Sequence, residues 1–308
     1  MNASSATNSR LTIFCGKGGV GKTSLSLAFA LRHADQGEPV LLVTSHPLRE
    51  LAVSVSLAGL KEQRPLAAAN LFIVHIDPLD ILANKVRQVV PELLANRVLA
   101  SPIYGSLITI APGIKEIAFL GRLHELAEKH SDDTNSREYK LIVWDAPATG
   151  HFLQTLKVSQ NFEAYLSGPF ALLGREVAEF FTEVSNLNLI PVTALEEMAV
   201  DETIELCEQL SRELQIIPSA LICNMASPLL ASSDAEFAKL REEVARAAAD
   251  SPELKFILNH HAIERALLDK LRTSIGAQVQ IVRRKASWNS DVELLTDIAG
   301  QLGGIAYT

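Results

Sequence analysis

Cysteine is scarce in this sequence and scattered where it occurs. Cys15, Cys207 and Cys223 are the only three. No C-x-x-C pair exists, so the spacing argues against a structural zinc site. Each lies in a largely apolar pattern and reads as a small core residue, and an odd count without a secretory leader suits a reducing cytoplasm. Positive charge is also short. Lys and Arg number 28 against 36 Asp and Glu, a formal net charge of −8, which argues against a general nucleic-acid-binding surface. No apolar run has membrane-spanning length. The charge-free stretch 98–114 comes nearest, but Pro102, Gly105, Pro112 and Gly113 break it. There is no internal repeat and no low-complexity tract. Residues 1–10 are mostly small and polar, and read as a flexible N-terminal tail.

What the sequence does have is one strongly patterned stretch, Gly16-Lys17-Gly18-Gly19-Val20-Gly21-Lys22-Thr23. The apolar run Leu11–Cys15 precedes it, and Ser24–Arg32 follows with a helical pattern. Strand, glycine-rich turn and helix form the context of a phosphate-binding P-loop. Glycines let backbone N–H groups turn inward around an anion, and the helix N-terminus adds partial positive charge. Gly16, Gly18, Gly19, Val20, Gly21 and Ser24 are read as lining the nucleotide. Lys22 is expected to reach the β- and γ-phosphates, and the Thr23 hydroxyl to hold Mg²⁺. Lys17 is a second loop lysine. It reads either as a solvated side chain or as one that reaches a nucleotide on another subunit, and spacing alone favours the first.

Strand-like runs recur at 40–44, 71–77, 141–145, 189–193, 220–224 and 279–282, with helical periodicity between them. Ile204, Cys207, Leu210 and Leu214 form one such face, Phe237, Leu240, Val244 and Ala247 another, and Val292, Leu295, Ile298 and Leu302 a third. Several strands are continuously apolar, as expected for strands buried on both faces. The expected fold is α/β: a doubly wound, mostly parallel sheet of P-loop NTPase type, over residues 11–308. Segments 79–130 and 152–187 depart from the alternation. Both are helical by pattern and both follow strand ends, so they read as an inserted helical subdomain near the ligand crevice. Leu107, Ile108, Ile110, Phe162, Leu166, Phe170, Leu172 and Leu173 there either line a groove for an apolar client or pack on one another, and the second reading is the commoner fate of such residues.

Asp145 closes an apolar strand and leads into Ala146-Pro147-Ala148-Thr149-Gly150-His151. A carboxylate at the end of a buried strand beside a P-loop commonly positions Mg²⁺ through its waters, and this role is preferred over a helix-capping Asp. Pro147 and Gly150 suit a loop that moves with the γ-phosphate. His151 reads equally as a helix-start histidine and as a phosphate-sensing switch residue.

These residues resemble the arsenite-pump ATPase (ArsA) family, which also contains the tail-anchored-protein targeting ATPases. The loop from Gly16 to Thr23 fits the wider class with a lysine early in the P-loop, which includes MinD and ParA. Asp145 to His151 resembles the narrower family's Asp-Thr-Ala-Pro-Thr-Gly-His. Further similar stretches are His75-Ile76-Asp77-Pro78, Ala111 to Glu116, and the strand end at Asn224. The resemblance implies a dimer that closes on ATP, with Lys17 reaching the γ-phosphate across the interface, Asn224 contacting the adenine, and the helical segments carrying the client site.

Three departures bear on function. The family's switch after the second strand reads Asp-Pro-Ala-His, and here it reads His46-Pro47-Leu48-Arg49. His46 can accept a proton, since a histidine titrates near ~6.5, but it brings no negative charge to Mg²⁺-bound water. General-base help is worth about 10²–10⁴ in rate, so slow hydrolysis is expected. The zinc C-x-x-C of the targeting ATPases is absent, and the cysteines do not form an arsenite-binding set. The sequence therefore reads as a cytoplasmic, ATP- and Mg²⁺-dependent ATPase with Lys17, His46 and Asp145 as its catalytic residues. It would work as a homodimer, or as a heterodimer with a related ATPase. The alternative is a hydrolysis-impaired ATP-binding subunit that regulates an intact partner. A MinD-like positioning role is weaker, because residues 294–302 carry Asp297 and no Lys or Arg. Arg283-Arg284-Lys285, just after the last strand, reads either as facing nucleotide or partner or as a solvated basic run, the usual case.

Overall fold

The computed structural model describes residues 10–44, 70–110, 113–130, 137–160, 170–218, 220–231, 251–285 and 290–303, with positions 238–239, 242–243 and 246. Seven strands are present among them: β1 (Leu11–Cys15), β2 (Val40–Thr44), β3 (Leu71–His75), β4 (Leu141–Asp145), β5 (Leu187–Ala194), β6 (Ala220–Ala226) and β7 (Gln278–Arg283). They run in the order β3-β2-β4-β1-β5-β6-β7. The α/β fold with a mostly parallel sheet and flanking helices is therefore as expected. Strand boundaries shift by at most two residues from the sequence reading, the third strand stopping at His75. The pattern Phe237 to Ala247 falls largely outside the described residues.

The chain divides into two compact units. The first takes residues 10–13 and 33–188. Its strands pair in parallel and in register, Val40 opposite Leu71 and Leu141, Thr44 opposite His75 and Asp145. Parallel pairing in register brings the carboxyl ends of β2, β3 and β4 to one edge. β2 and β4 are buried throughout, while β3 is buried only at alternate positions near its start. That difference explains why the two inner strands read as unbroken apolar runs. Trp144 anchors this core, with ring centroids 5.0 Å from Phe119 and 5.7 Å from Phe152.

The helices of this unit include α2 (Pro78–Val89), α3 (Glu92–Leu99), α4 (Pro102–Ile110), α5 (Ile114–Glu128), α6 (Thr149–Gln160) and α7 (Phe170–Thr182). α2 starts where it does because Asp77 accepts from the Leu79 N–H at 2.8 Å and Pro78 occupies the first turn. α2 buries no residue at all, unlike α5, which buries Phe119, Leu120, Leu123 and Leu126.

The second unit takes residues 14–32 and 189–303 among those described. It holds α1 (Lys22–Asp35) through Arg32, then β5, α8 (Glu197–Leu214), β6, α9 (Pro252–Ser274), β7 and α10 (Asp291–Gln301). β5 is buried at every position and pairs in parallel with β6, Ala194 opposite Asn224. β7 is the more exposed strand and carries Gln278 and Gln280. Cys207 and Cys223 sit in one apolar cluster with Leu267, Leu268 and Leu271, and Cys15 is fully buried. All three thiols are free. Burial raises each thiol's pKa, to about 12 for Cys207 and Cys223 and further for Cys15. They are core residues, as the apolar patterns indicated. No helix among the described residues is long and apolar enough to cross a membrane.

Candidate nucleotide-binding site

The phosphate loop lies wholly in the second unit, between Cys15 at the end of β1 and Lys22 at the start of α1. Gly16, Gly19 and Gly21 have φ of 137°, 87° and 88°. Side-chain-bearing residues rarely adopt such angles, so the glycine spacing is a backbone requirement. Gly16 is constrained twice over. A Cβ there would stand 2.2 Å from the Val192 carbonyl oxygen of β5. The Leu25 N–H donates to the Gly21 carbonyl at 3.1 Å, which joins the loop directly to the first turn of α1.

Lys22 is buried at 9 % exposure. Its ammonium donates to the carbonyls of Gly16 at 2.9 Å and Lys17 at 2.8 Å, so it lies inside the curve of the loop. Thr23 and Ser24 follow in the first turn of α1, where the helix N-terminus carries partial positive charge. Gly18 and Gly19 are exposed and Val20 is buried. The loop therefore offers backbone amides, a lysine ammonium and a hydroxyl within one short stretch, which is the donor set an anionic polyphosphate needs.

Lys17 points elsewhere. Its ammonium lies 3.6 Å from the Glu202 carboxylate on α8, with both side chains about one-third exposed. No sequence signal marks Glu202, which is one acid in an amphipathic helix. Asn224, expected to meet an adenine, is buried at 6 % exposure near the end of β6 and donates to the Val20 carbonyl at 2.9 Å.

The second unit's basic run is partly engaged. Lys285 pairs with Asp297 at 2.5 Å, and the Arg284 N–H donates to the Ala226 carbonyl at 2.9 Å.

The remaining predicted residues belong to the first unit or lie outside the described ones. Asp145 ends β4 at 2 % exposure. Thr44 and His75 stand opposite each other on β2 and β3, and His75 Nδ1 donates to the Thr44 carbonyl at 3.0 Å, which leaves Nε2 as the acceptor in the neutral ring. His151 is exposed in the first turn of α6. The loop after Asp145 borders a cavity of about 400 Å³, lined by Pro147, His151, His75, Asp77, Phe119 and Trp144. His46 lies outside the described residues, as do Phe162 and Leu166 and the side chains of Leu107, Ile110, Phe170, Leu172 and Leu173. Among the described residues no group of His, Cys, Asp and Glu is arranged to hold a metal ion by itself. Thr23 and Asp145 are hard oxygen donors, the type Mg²⁺ takes alongside waters and phosphates.

The sequence model of the anion-transporting ATPase (ArsA) family matches residues 9–270. The chain belongs to that family. Its relatives include the ATPase GET3 of Malassezia globosa, 28 % identical over 188 residues, which cover 60 % of this chain and 53 % of the relative. An arsenical pump-driving ATPase of Acidiphilium multivorum is 26 % identical over 238 residues, 70 % of this chain and 39 % of the relative. A putative arsenical pump-driving ATPase of Aquifex aeolicus is 28 % identical over 213 residues, 68 % of this chain and 66 % of the relative. The chain thus spans from about two fifths to two thirds of these relatives' lengths. The matched region takes in the phosphate loop, Asp145 and Asn224, so the family resemblance read from the sequence holds.

Proposed function

We propose that this chain binds Mg-ATP through Gly16–Thr23 and hydrolyses it, and that nucleotide-driven closure of a dimer controls a client or partner. The observation that carries the reading is the phosphate loop: three glycines in left-handed φ, Lys22 inside the curve, and the α1 N-terminus behind it. Lys22 donates to the β- and γ-phosphates. Thr23 through its hydroxyl, and Asp145 through its carboxylate, are the residues that would hold Mg²⁺, and the metal would supply charge neutralisation on the phosphates. Lys17 exchanges its pairing with Glu202 for the γ-phosphate of the opposing subunit, and His46 aligns the attacking water. Homodimer and heterodimer both satisfy this scheme.

The client side of the proposal draws on the exposed apolar side chains of α2, α3 and α4. Leu93 is 91 % and Ile103 80 % exposed, and Leu79, Val89 and Leu94 are exposed beside them in sequence. Exposed apolar side chains of this kind suit an apolar helix of a client protein. The insertions at 79–130 and 152–187 would then act as the client-facing subdomain.

A second reading is favoured by one feature, His46 in place of the switch aspartate. It makes the chain an ATP-loaded subunit that turns over little until a related, intact ATPase joins it. Steady-state ATPase of the purified chain beside His46→Asp, with ATP affinity measured for both, separates the two. A variant that hydrolyses much faster at equal affinity supports the slowed subunit. A natural chain that turns over well, with no gain in the variant, supports the self-sufficient ATPase. Absence of ATP binding by both overturns the whole reading.

A further inference from the structure

Asn224 does more than stand at a strand end. Its side chain reaches the phosphate loop from β6. The acceptor at 2.9 Å is the Val20 carbonyl, so the atom facing it is the amide N–H donor. A Cβ on the next residue, Gly21, would come within 2.3 Å of that same nitrogen. The amide therefore occupies the space a side chain at Gly21 would need, and it holds the carbonyl of the residue before it. Two independent features meet on one atom.

The backbone around Asn224 is itself held. Asn224 pairs with Ala194 of β5. The β6–β7 register slips between Cys223 and Ala226, a span that contains Asn224, and Met225 takes a left-handed φ of 56°. The Ala226 carbonyl accepts from Arg284, and the Ser227 N–H donates to the buried Glu264 carboxylate at 3.2 Å. A side chain mounted on so constrained a backbone can fix the loop it touches.

We propose that Asn224 is a positioning residue of the phosphate loop. It sets the Val20–Gly21 peptide, and through it the Gly21 carbonyl that receives the Leu25 N–H and the start of α1. The loop amides and Lys22 are then presented in their binding arrangement before an anion arrives. Such preorganisation improves affinity by lowering the ordering cost of binding. The inference rests on the nucleotide-binding reading but differs from an adenine contact in its consequence. A base contact matters only when a base is present. A loop strut matters for any polyphosphate.

The test compares the full-length chain with Asn224→Ala, titrated calorimetrically with Mg-ATP and with inorganic tripolyphosphate plus Mg²⁺. Thermal melting confirms that both fold, and Asn224→Ser serves if the alanine variant does not. The expected result is a parallel weakening of both ligands, about tenfold, the scale of one lost buried hydrogen bond. Amide hydrogen exchange at Gly19–Thr23 without ligand is expected to quicken in the variant. A loss confined to ATP, with tripolyphosphate affinity and loop exchange unchanged, overturns the proposal and leaves Asn224 as a base contact. If the natural chain binds neither ligand, the nucleotide reading fails by itself. Loop exchange then still decides on the strut, faster in the variant supporting it and unchanged overturning it.

Discussion

Alanine substitution along the phosphate loop yields a graded series, because its glycines are constrained to different degrees. At Gly18 a Cβ meets nothing within 4 Å and no left-handed φ is required. Gly18→Ala is therefore expected to be neutral, or to stabilise by about 0.4–1 kcal/mol through the unfolded chain. At Gly19 the space is equally open but φ is +87°. Backbone strain alone applies, at about 1–2 kcal/mol. At Gly16 φ is +137° and the added Cβ would stand 2.2 Å from the Val192 carbonyl oxygen, whereas real contacts stay beyond 3.0 Å. That oxygen belongs to a strand buried on every residue, so it has no room to retreat. Strain of about 1–3 kcal/mol and overpacking of about 1–3 kcal/mol combine to roughly 2–6 kcal/mol. At roughly 2–4 °C per kcal/mol for a domain of this size class, Gly16→Ala lowers the apparent melting midpoint by about 4–24 °C. Part of the cost can instead appear as a displaced loop, so ATP affinity is measured in parallel. The expected order of damage is Gly16 above Gly19 above Gly18 in the combined readout. Equal behaviour of Gly16→Ala and Gly18→Ala in both melting and ATP affinity would refute the reasoning.

Other consequences are narrower. Glu202→Gln removes the partner of Lys17; as a one-third-exposed pair it contributes less than about 1 kcal/mol to stability, so melting should stay unchanged while ATP-dependent dimerisation, read by light scattering, rises a few-fold. A fall in dimerisation would show that Glu202 aids closure instead. Burial lifts the Glu264 carboxyl above its usual 4.5, with His260, the Ser227 N–H and Arg284 only partly opposing it. The folded chain then holds this proton more tightly than the unfolded chain, so stability falls as pH rises from 4.5 through the folded value. Glu264→Gln should flatten that fall, and melting midpoints from pH 4.5 to 8 that keep the same slope in both proteins would count against it. Leu93→Glu with Ile103→Glu should leave melting and ATP affinity alone but abolish suppression of aggregation of an apolar-helix client protein, and retained suppression would remove these side chains from the client site.

The sequence by itself determined the parts of this protein whose physics is local. The glycine-rich stretch from Gly16 to Gly21 announces a turn that can wrap an anion, and the apolar runs at 11–15, 40–44 and 141–145 announce strands buried on both faces. The strand-like run read over 71–77 overshoots, because Asp77 caps a helix that begins at Pro78. Only the tertiary structure decided what touches the loop from far along the chain. Val192 closes the space beside Gly16, Glu202 takes Lys17, and Asn224 takes the Val20 carbonyl, across separations of some two hundred residues. No periodicity or motif carries such information, because those contacts follow from strand order and register, and Glu202 is chemically one acid among several on α8. The same holds for the free thiols: their spacing argued against a zinc site, but the packing around them is what raises their pKa.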